Sequence, residues 1–322
     1  MVHRIPSGTR DFLPDEMREL RAMTDRIRRV FDNARYGEVY TPALEYERTF
    51  ELANVSPTRP AYRMFDEQGN VLVLRSDMTV PIARLVATRY AHAEPPLRFC
   101  YMAHAYRGVK PQRGQSREFL QAGLELIGSP APEGTAEALT VMCDALDAAG
   151  LENYRVGVGD ATLYPSLLEA VGVPEERHER ILTELVTGDF VGVERELQQL
   201  KLSPSDLNLL LTTPQTRGGA ELLDGLEGPL QTAGTGMQDV LALLAPHVAQ
   251  RIIFDFGLMR SLGYYTGAVF QVYDPAYGVP IGSGGRYDEL LGSFGRALPA
   301  VGFALNVERL HIALTGEERG RR

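Results

Sequence analysis

One strand–loop–strand unit limits the fold of this chain more than any other feature. Along Arg98–Tyr106 the side chains alternate, with Phe99, Tyr101, Ala103 and Ala105 on one side and Arg98, Cys100, Met102, His104 and Tyr106 on the other. A period of two is the signature of a strand. A second strand run, Glu118–Ile127, follows the basic, glycine-containing loop GVKPQRGQSR. Strand, loop and returning strand make an antiparallel hairpin. In the second strand Gln121 and Glu125 lie four apart, so both point to the same face.

The rest of the chain arranges helices and strands around that hairpin. Residues 14–36 read as an amphipathic helix: Pro14 suits a first turn, Asp15 and Glu16 favour the positive end of the dipole, and Met17, Leu20, Met23, Ile27, Val30 and Phe31 recur at helical spacing. Gly37 is placed to end it. Short extended runs follow at Glu38–Pro42 and Val71–Leu74. Glu133–Ala149 reads as a helix closed by Gly150. The stretch 161–249 is rich in Leu, Glu and Gln and broken by Pro and Gly, which suggests an inserted lobe of short helices. Two β-rich runs, Arg251–Phe256 and Ala268–Tyr273, flank GLMRSLGYYTG. A glycine cluster, GSGGRYDEL, and a closing helix near Val301–Leu314 complete the chain. The expected class is α+β with mostly antiparallel pairing. The expected division is a core of residues 1–160 and 250–322 with the lobe 161–249 inserted. No GxGxxG or Walker-type loop follows a strand, so a Rossmann or P-loop fold has no support.

With 322 residues the chain is long enough for a large core and about two domains. A formal net charge of −9 disfavours an extended nucleic-acid surface. Cys100 and Cys143 sit in no CxxC and near no histidine at ligand spacing. No metal, disulfide framework or cofactor is therefore expected, in keeping with a reducing cytoplasm. The N-terminus carries no apolar signal segment, and no apolar run approaches the ~20 residues that cross a bilayer.

Polar residues within apolar runs are the candidates for chemistry. For Gln121 and Glu125 an exposed sheet edge is an equal alternative on pattern alone. Asp77, after VLVLRS, also reads as the N-cap of a helix through Met78–Tyr90. Arg107 at a strand end reads, on its own, as a solvated charge. Tyr264 and Tyr265, with Arg260 just before them, also read as core packing. The GSGGRYD glycines serve either a tight turn or close backbone approach to a small ligand. Together, two carboxylates (Asp77, Glu125), an amide (Gln121), two arginines (Arg107, Arg260) and the tyrosine pair suit a small zwitterion. Carboxylates accept from ammonium or imidazole N–H, and guanidinium forks onto a carboxylate or phosphate.

These segments also carry a resemblance. RFCYMAHAYRGVKPQRGQSREFLQAGLELIG is similar to motif 2 of the histidyl-tRNA synthetases, YGEVYTPALE with Pro42 to their motif 1 dimer segment, and PAVGFALNVERL with Arg309 to motif 3. RSLGYYTGAVF and GSGGRYDEL resemble two signatures of the histidine branch. The likeness runs from PSGTRDFLP to ERL. It implies a class II synthetase-like fold, a mostly antiparallel sheet flanked by helices with a helical insertion, dimeric through motif 1. It also implies a histidine pocket at Asp77, Thr79, Arg107, Gln121, Glu125, Arg260, Tyr264 and Tyr265.

Four departures shift the expected function. The sequence ends 13 residues after Arg309, leaving no room for an anticodon-binding domain. Val109 stands where the family's motif 2 has a glutamate that holds adenine. Gly263 replaces an aspartate before the tyrosine pair, and Asn306 a small glycine in motif 3. Arg107, Val109 and Arg309 would then mark a vestigial nucleotide site. This pattern resembles the regulatory subunits of ATP phosphoribosyltransferase. That family implies a noncatalytic chain working with a short catalytic subunit in the first step of histidine biosynthesis. It further implies feedback by L-histidine and a hetero-octamer, with neither nucleic acid nor membrane as partner. The rival readings are an amino-acid-activating enzyme that uses ATP, and an RNA-binding module.

Overall fold

The computed structural model describes residues 5–53, 61–108, 116–259 and 263–320. Its strands are β1 (Gly37–Glu38), β2 (Leu44–Tyr46), β3 (Arg63–Phe65), β4 (Val71–Leu74), β5 (Leu97–Tyr106), β6 (Glu118–Ile127), β7 (Arg155–Asp160), β8 (Arg217–Gly218), β9 (Ile252–Asp255), β10 (Ala268–Tyr273), β11 (Gly282–Arg286) and β12 (Ala300–Asn306). Its helices are α1 (Pro14–Asn33), α2 (Glu47–Leu52), α3 (Thr79–Arg89), α4 (Glu133–Ala149), α5 (Leu163–Ala170), α6 (Glu175–Thr187), α7 (Phe190–Gln198), α8 (Pro204–Thr212), α9 (Pro229–Leu243), α10 (Pro246–Ala249) and α11 (Val307–Gly320).

The β5–β6 hairpin forms as its alternation requires, with Phe99 opposite Glu125 and Ala103 opposite Gln121. It sits inside a nine-stranded sheet ordered β1-β5-β6-β12-β11-β10-β7-β9-β8. Pairing is antiparallel except for β1 with β5 and β7 with β9. A small sheet, β2-β4-β3, stands apart. One face of the large sheet presents Leu124, Leu126, Phe270, Phe303 and Leu305 to Leu20, Ile27 and Phe31 of α1 and to Leu139 and Leu146 of α4. Each such large side chain, fully buried, contributes about 1.5–3 kcal/mol. The other face carries Phe99 and Tyr101, packed with Val80, Ile82 and Val86 of α3. Helices α5–α8 gather around a third cluster that includes Tyr164, Leu167, Ile181 and Leu197. There the enclosed Glu196 is held by Arg177 at 2.7 Å and Arg180 at 3.0 Å. No described helix is long and apolar enough to cross a membrane.

Local chemistry explains where the elements depart from the pattern. Helix α1 stops at Asn33, not at Gly37. Arg35 takes the left-handed conformation, φ 64°, and Tyr36 N–H reaches back to the Phe31 carbonyl at 3.0 Å while Arg35 N–H meets Asp32 at 2.9 Å. These are the two bonds of a Schellman cap, formed here without glycine. Gly37 instead opens β1, so strand pairing covers only part of the expected Glu38–Pro42 run. Helix α4 does close on glycine: Gly150 has φ 103°. GSGGRYDEL is not a tight turn over Gly282–Arg286; it is the interior strand β11. Its glycines let the sheet pass close to aromatic rings: a Cβ on Gly284 would lie 2.7 Å from Phe270 Cζ. The expected closing helix near Val301–Leu314 is half strand. Ala300–Asn306 pairs on both sides, and both its faces are largely buried, so an apolar run without alternation reads locally as either element.

Candidate functional site

The face of the large sheet covered by α3 carries two polar side chains at its centre. Gln121 is 7% exposed and Glu125 1%. An exposed sheet edge is therefore excluded, since β6 lies between β5 and β12. Glu125 Oε1 accepts from the Thr79 hydroxyl at 2.8 Å, and Oε2 accepts from the Tyr287 hydroxyl. Across the ladder Gly302 faces Glu125. A Cβ on Gly302 would lie 2.6 Å from the Leu124 carbonyl oxygen and 2.7 Å from Glu125 Cδ. The missing side chain on β12 is thus what leaves the carboxyl its place. Burial pushes the Glu125 carboxyl up to about 8; the Tyr287 and Thr79 hydroxyls oppose that rise and nearby Asp77 adds to it.

Asp77 sits just before α3 and meets the start of that helix. Its Oδ1 accepts from Val80 N–H at 3.2 Å, capping the helix, while Oδ2 accepts from the Ser76 hydroxyl at 3.1 Å. It is buried, and burial raises its carboxyl above the usual range against the pull of Val80 N–H and of Arg107. Arg107 is more than a solvated strand end. Its Nε donates to the Ser76 carbonyl at 3.3 Å, and its guanidinium stands 4.6 Å from the centre of the Phe119 ring. Gln121 Oε1 is enclosed and has no hydrogen-bond partner among the described residues. A buried acceptor left bare costs about 1–3 kcal/mol.

The tyrosines close the same space. Tyr264 stacks at a tilt on Tyr265, ring centres 4.9 Å apart, and meets Tyr287 edge-on at 5.8 Å. A bond to Thr79 and the charges of Asp77 and Glu125 act on the Tyr264 hydroxyl. Tyr265 lies over Gly285, where a Cβ would come within 2.7 Å of its ring. Thr79 and Tyr287 are thus bonded to Glu125, Asp77 and Tyr264 lie near enough for their charges to act on one another, and Arg107 stands near Asp77 and Tyr265 against Tyr264, while Gln121 shares the strand face four residues from Glu125. Arg260 and Val109 lie outside the described residues. Arg309, at the start of α11, donates to the Pro280 carbonyl at 2.8 Å. Asn306 Oδ1 accepts from Arg309 N–H at 2.9 Å, so this asparagine caps α11. Among the described residues no cluster of three His, Cys, Asp or Glu side chains could hold a metal ion.

Residues 8–310 match the histidyl-tRNA synthetase family model. An ATP phosphoribosyltransferase regulatory subunit of Desulforamulus reducens is 37% identical over 317 residues, which cover 97% of this chain and 79% of that protein. The chain belongs to the histidyl-tRNA synthetase family, among its ATP phosphoribosyltransferase regulatory subunits. Its fold agrees with a solved ATP phosphoribosyltransferase regulatory subunit/histidyl-tRNA synthetase from Bacillus halodurans: TM-score 0.89, 33% identity, 97% of this chain and 84% of that one. It also agrees with a histidine–tRNA ligase subunit from Alicyclobacillus acidocaldarius: TM-score 0.79, 30% identity, 99% of each chain. Regulatory subunits and ligases thus share one class II synthetase-like architecture, and fold alone does not assign the chemistry.

For this regulatory-subunit family member, sequence reasoning overlooked two parts of the site. Tyr287 supplies a hydroxyl to Glu125, yet in GSGGRYDEL only the glycines drew notice. Gly302 makes room for the carboxyl, yet its stretch read as helix. The placement comes from register across three strands: Gly285 pairs with Gly302 and Gly302 with Glu125. Tyr287, two residues beyond Gly285, belongs on the same face of the sheet.

Proposed function

We infer that the chain is a noncatalytic subunit that senses L-histidine and works with the catalytic chain of a short-form ATP phosphoribosyltransferase. The partner follows from the name that its relatives carry. What supports the ligand is three buried acceptor groups, Gln121 and Glu125 on one face of β6 and Asp77 near Glu125, with the Gln121 oxygen bare, Tyr264 near Glu125 and Arg107 near Asp77. An amino acid with an imidazole side chain fits that set. Its ring and ammonium supply N–H donors, and its carboxylate suits a guanidinium such as Arg107 or Arg260. Feedback then requires that histidine favour one conformation of the complex; a coupling of about 1–3 kcal/mol changes activity about 5–150-fold.

The same reading includes a homodimer through the motif 1 segment, nested in a hetero-octamer in the cytoplasm. The exposed Tyr40, Leu44, Tyr46 and Phe65 around the small sheet support such a contact. It also treats residues 161–249 as an inserted lobe; the separate cluster of α5–α8 supports that for its first part, whereas β8 joins the large sheet and α9 shares the core of α4.

Calorimetric titration of the chain with L-histidine tests the pocket. Binding is expected for the wild type and its loss for Glu125→Ala and Tyr264→Ala. Undiminished binding by both variants removes the pocket. Histidine-dependent ATP–pyrophosphate exchange at a robust rate would favour the rival amino-acid-activating enzyme.

A further inference from the structure

The charge around Glu125 is unbalanced. Its carboxyl is enclosed and touched by hydroxyls, Thr79 from the start of α3 and Tyr287 from the end of β11. Tyr101 of β5 lies close enough for the Glu125 charge to act on its phenol, and Tyr264 closes another side. The remaining near charge is Asp77, a second carboxyl, with Arg107 drawing on Asp77 and not on Glu125. On the β12 side Gly302 offers only backbone. Gln121 adds a bare acceptor on the same strand face. Among the described residues, then, no cation offsets Glu125.

We propose that the pocket binds histidine through a single shared proton: the Glu125 carboxyl hands its proton to the imidazole ring, and the ligand is held as an imidazolium against the resulting carboxylate. The inference rests on the histidine-binding reading above and specifies the protonation state of the ligand. The step balances without solvent: the Glu125 O–H bond breaks, a ring N–H forms, and the pair stays neutral overall. That matters in an enclosed site, where an uncompensated charge is costly. With its carboxyl pushed up to about 8, Glu125 holds the proton at neutral pH while the site is empty. A free imidazole, with a pKa of about 6.5, is mostly ready to receive it.

The proposal fixes the sign of proton exchange at each pH. Below about 6.5 both partners carry a proton and the complex keeps one, so binding releases one. Between about 6.5 and the Glu125 value near 8, nothing is exchanged. Above that, Glu125 is ionised and the ring neutral, so binding takes one proton up. Affinity therefore peaks between the two values and falls roughly tenfold per pH unit on either side. A neutral ring donating N–H to an ionised Glu125 behaves differently: it releases one proton at pH 7, and its affinity rises to a plateau above 8.

The test is calorimetric titration of the full chain with L-histidine at about pH 5.5, 7.2 and 8.7, each in two buffers of different protonation enthalpy. Release, none and uptake, in that order, is the expected result. In Glu125→Gln, which has no proton to give, the fall above pH 8 is reduced to the part that the ligand's own α-ammonium causes. One proton released at pH 7.2 overturns the shared proton while leaving the histidine pocket intact. A fall above pH 8 as steep in Glu125→Gln as in the wild type also overturns it, because the proton lost there then belongs to another group, such as the ligand's α-ammonium. No histidine binding at any pH removes the pocket itself.

Discussion

Tyr287→Phe isolates one bond of the site without changing its shape. The hydroxyl that donates to Glu125 Oε2 is removed, and the ring that meets Tyr264 edge-on at 5.8 Å stays. Before histidine binds, Glu125 is a neutral carboxyl at pH 7, and the lost bond is an ordinary one of about 1 kcal/mol. Once bound to an imidazolium, Glu125 is a carboxylate, and the lost bond is charge-assisted, about 1.5–3 kcal/mol. The difference, about 0.5–2 kcal/mol, weakens histidine about 2- to 30-fold. The first figure lowers stability by about 1 kcal/mol, a melting shift of only a few degrees in a chain of this size. The Tyr287 hydroxyl also holds the Glu125 carboxyl down, so its loss moves the upper limb of the affinity profile above pH 8. Titration calorimetry at pH 7.2, with thermal unfolding alongside, reads both effects. A folded variant with wild-type affinity refutes the reasoning, because Tyr287 would then have no bearing on the bound state.

Three further expectations follow from the geometry. Gly302→Ala places a methyl 2.6 Å from the Leu124 carbonyl oxygen and against the Glu125 carboxyl. It should cost about 1–3 kcal/mol in stability and weaken histidine at least severalfold by titration; unchanged values in both would mean that the strands part freely there. Asp274 Oδ2 is enclosed without a donor and faces Glu317, which already accepts from Asn153 N–H at 2.7 Å and Glu152 N–H at 3.0 Å. Burial and Glu317 raise its carboxyl to about 6, so its contribution is fully present below 3.8 and lost as pH rises through about 6. Asp274→Asn should then raise the melting temperature more at pH 8 than at pH 5, and a pH-independent change would contradict this. Phe65→Glu, at a site 74% exposed on the small sheet, should shift the proposed homodimer towards monomer in sedimentation; a dimer that the variant leaves unmoved would place the contact elsewhere.

Particular residues show how far the sequence could be read. Strand β5, helix α4 and strand β10 lie where the pattern put them, because alternation in β5 and a glycine after α4 are local signals. The end of α1 was not legible, since an arginine holds the left-handed position that glycine usually takes. β12 and β11 were misread for opposite reasons: one is apolar on both faces, the other nearly bare of side chains. In the site, a period of two was enough to place Gln121 and Glu125 on one face. The burial that gives them meaning depends on β12 pairing alongside, nearly two hundred residues later in the chain. Tyr287 was out of reach for the same reason. Its role arises from the register that links β11, β12 and β6, and no local stretch records that.

The central claim is that histidine acts on a phosphoribosyltransferase through this pocket. The direct measurement is the activity of a short catalytic subunit, assayed alone, with this chain, and with this chain plus L-histidine. The account predicts a gain in activity on adding the chain, loss of that gain with histidine, and resistance to histidine when the added chain carries Glu125→Ala. No gain from the chain, or inhibition that the Glu125 variant leaves untouched, would contradict it.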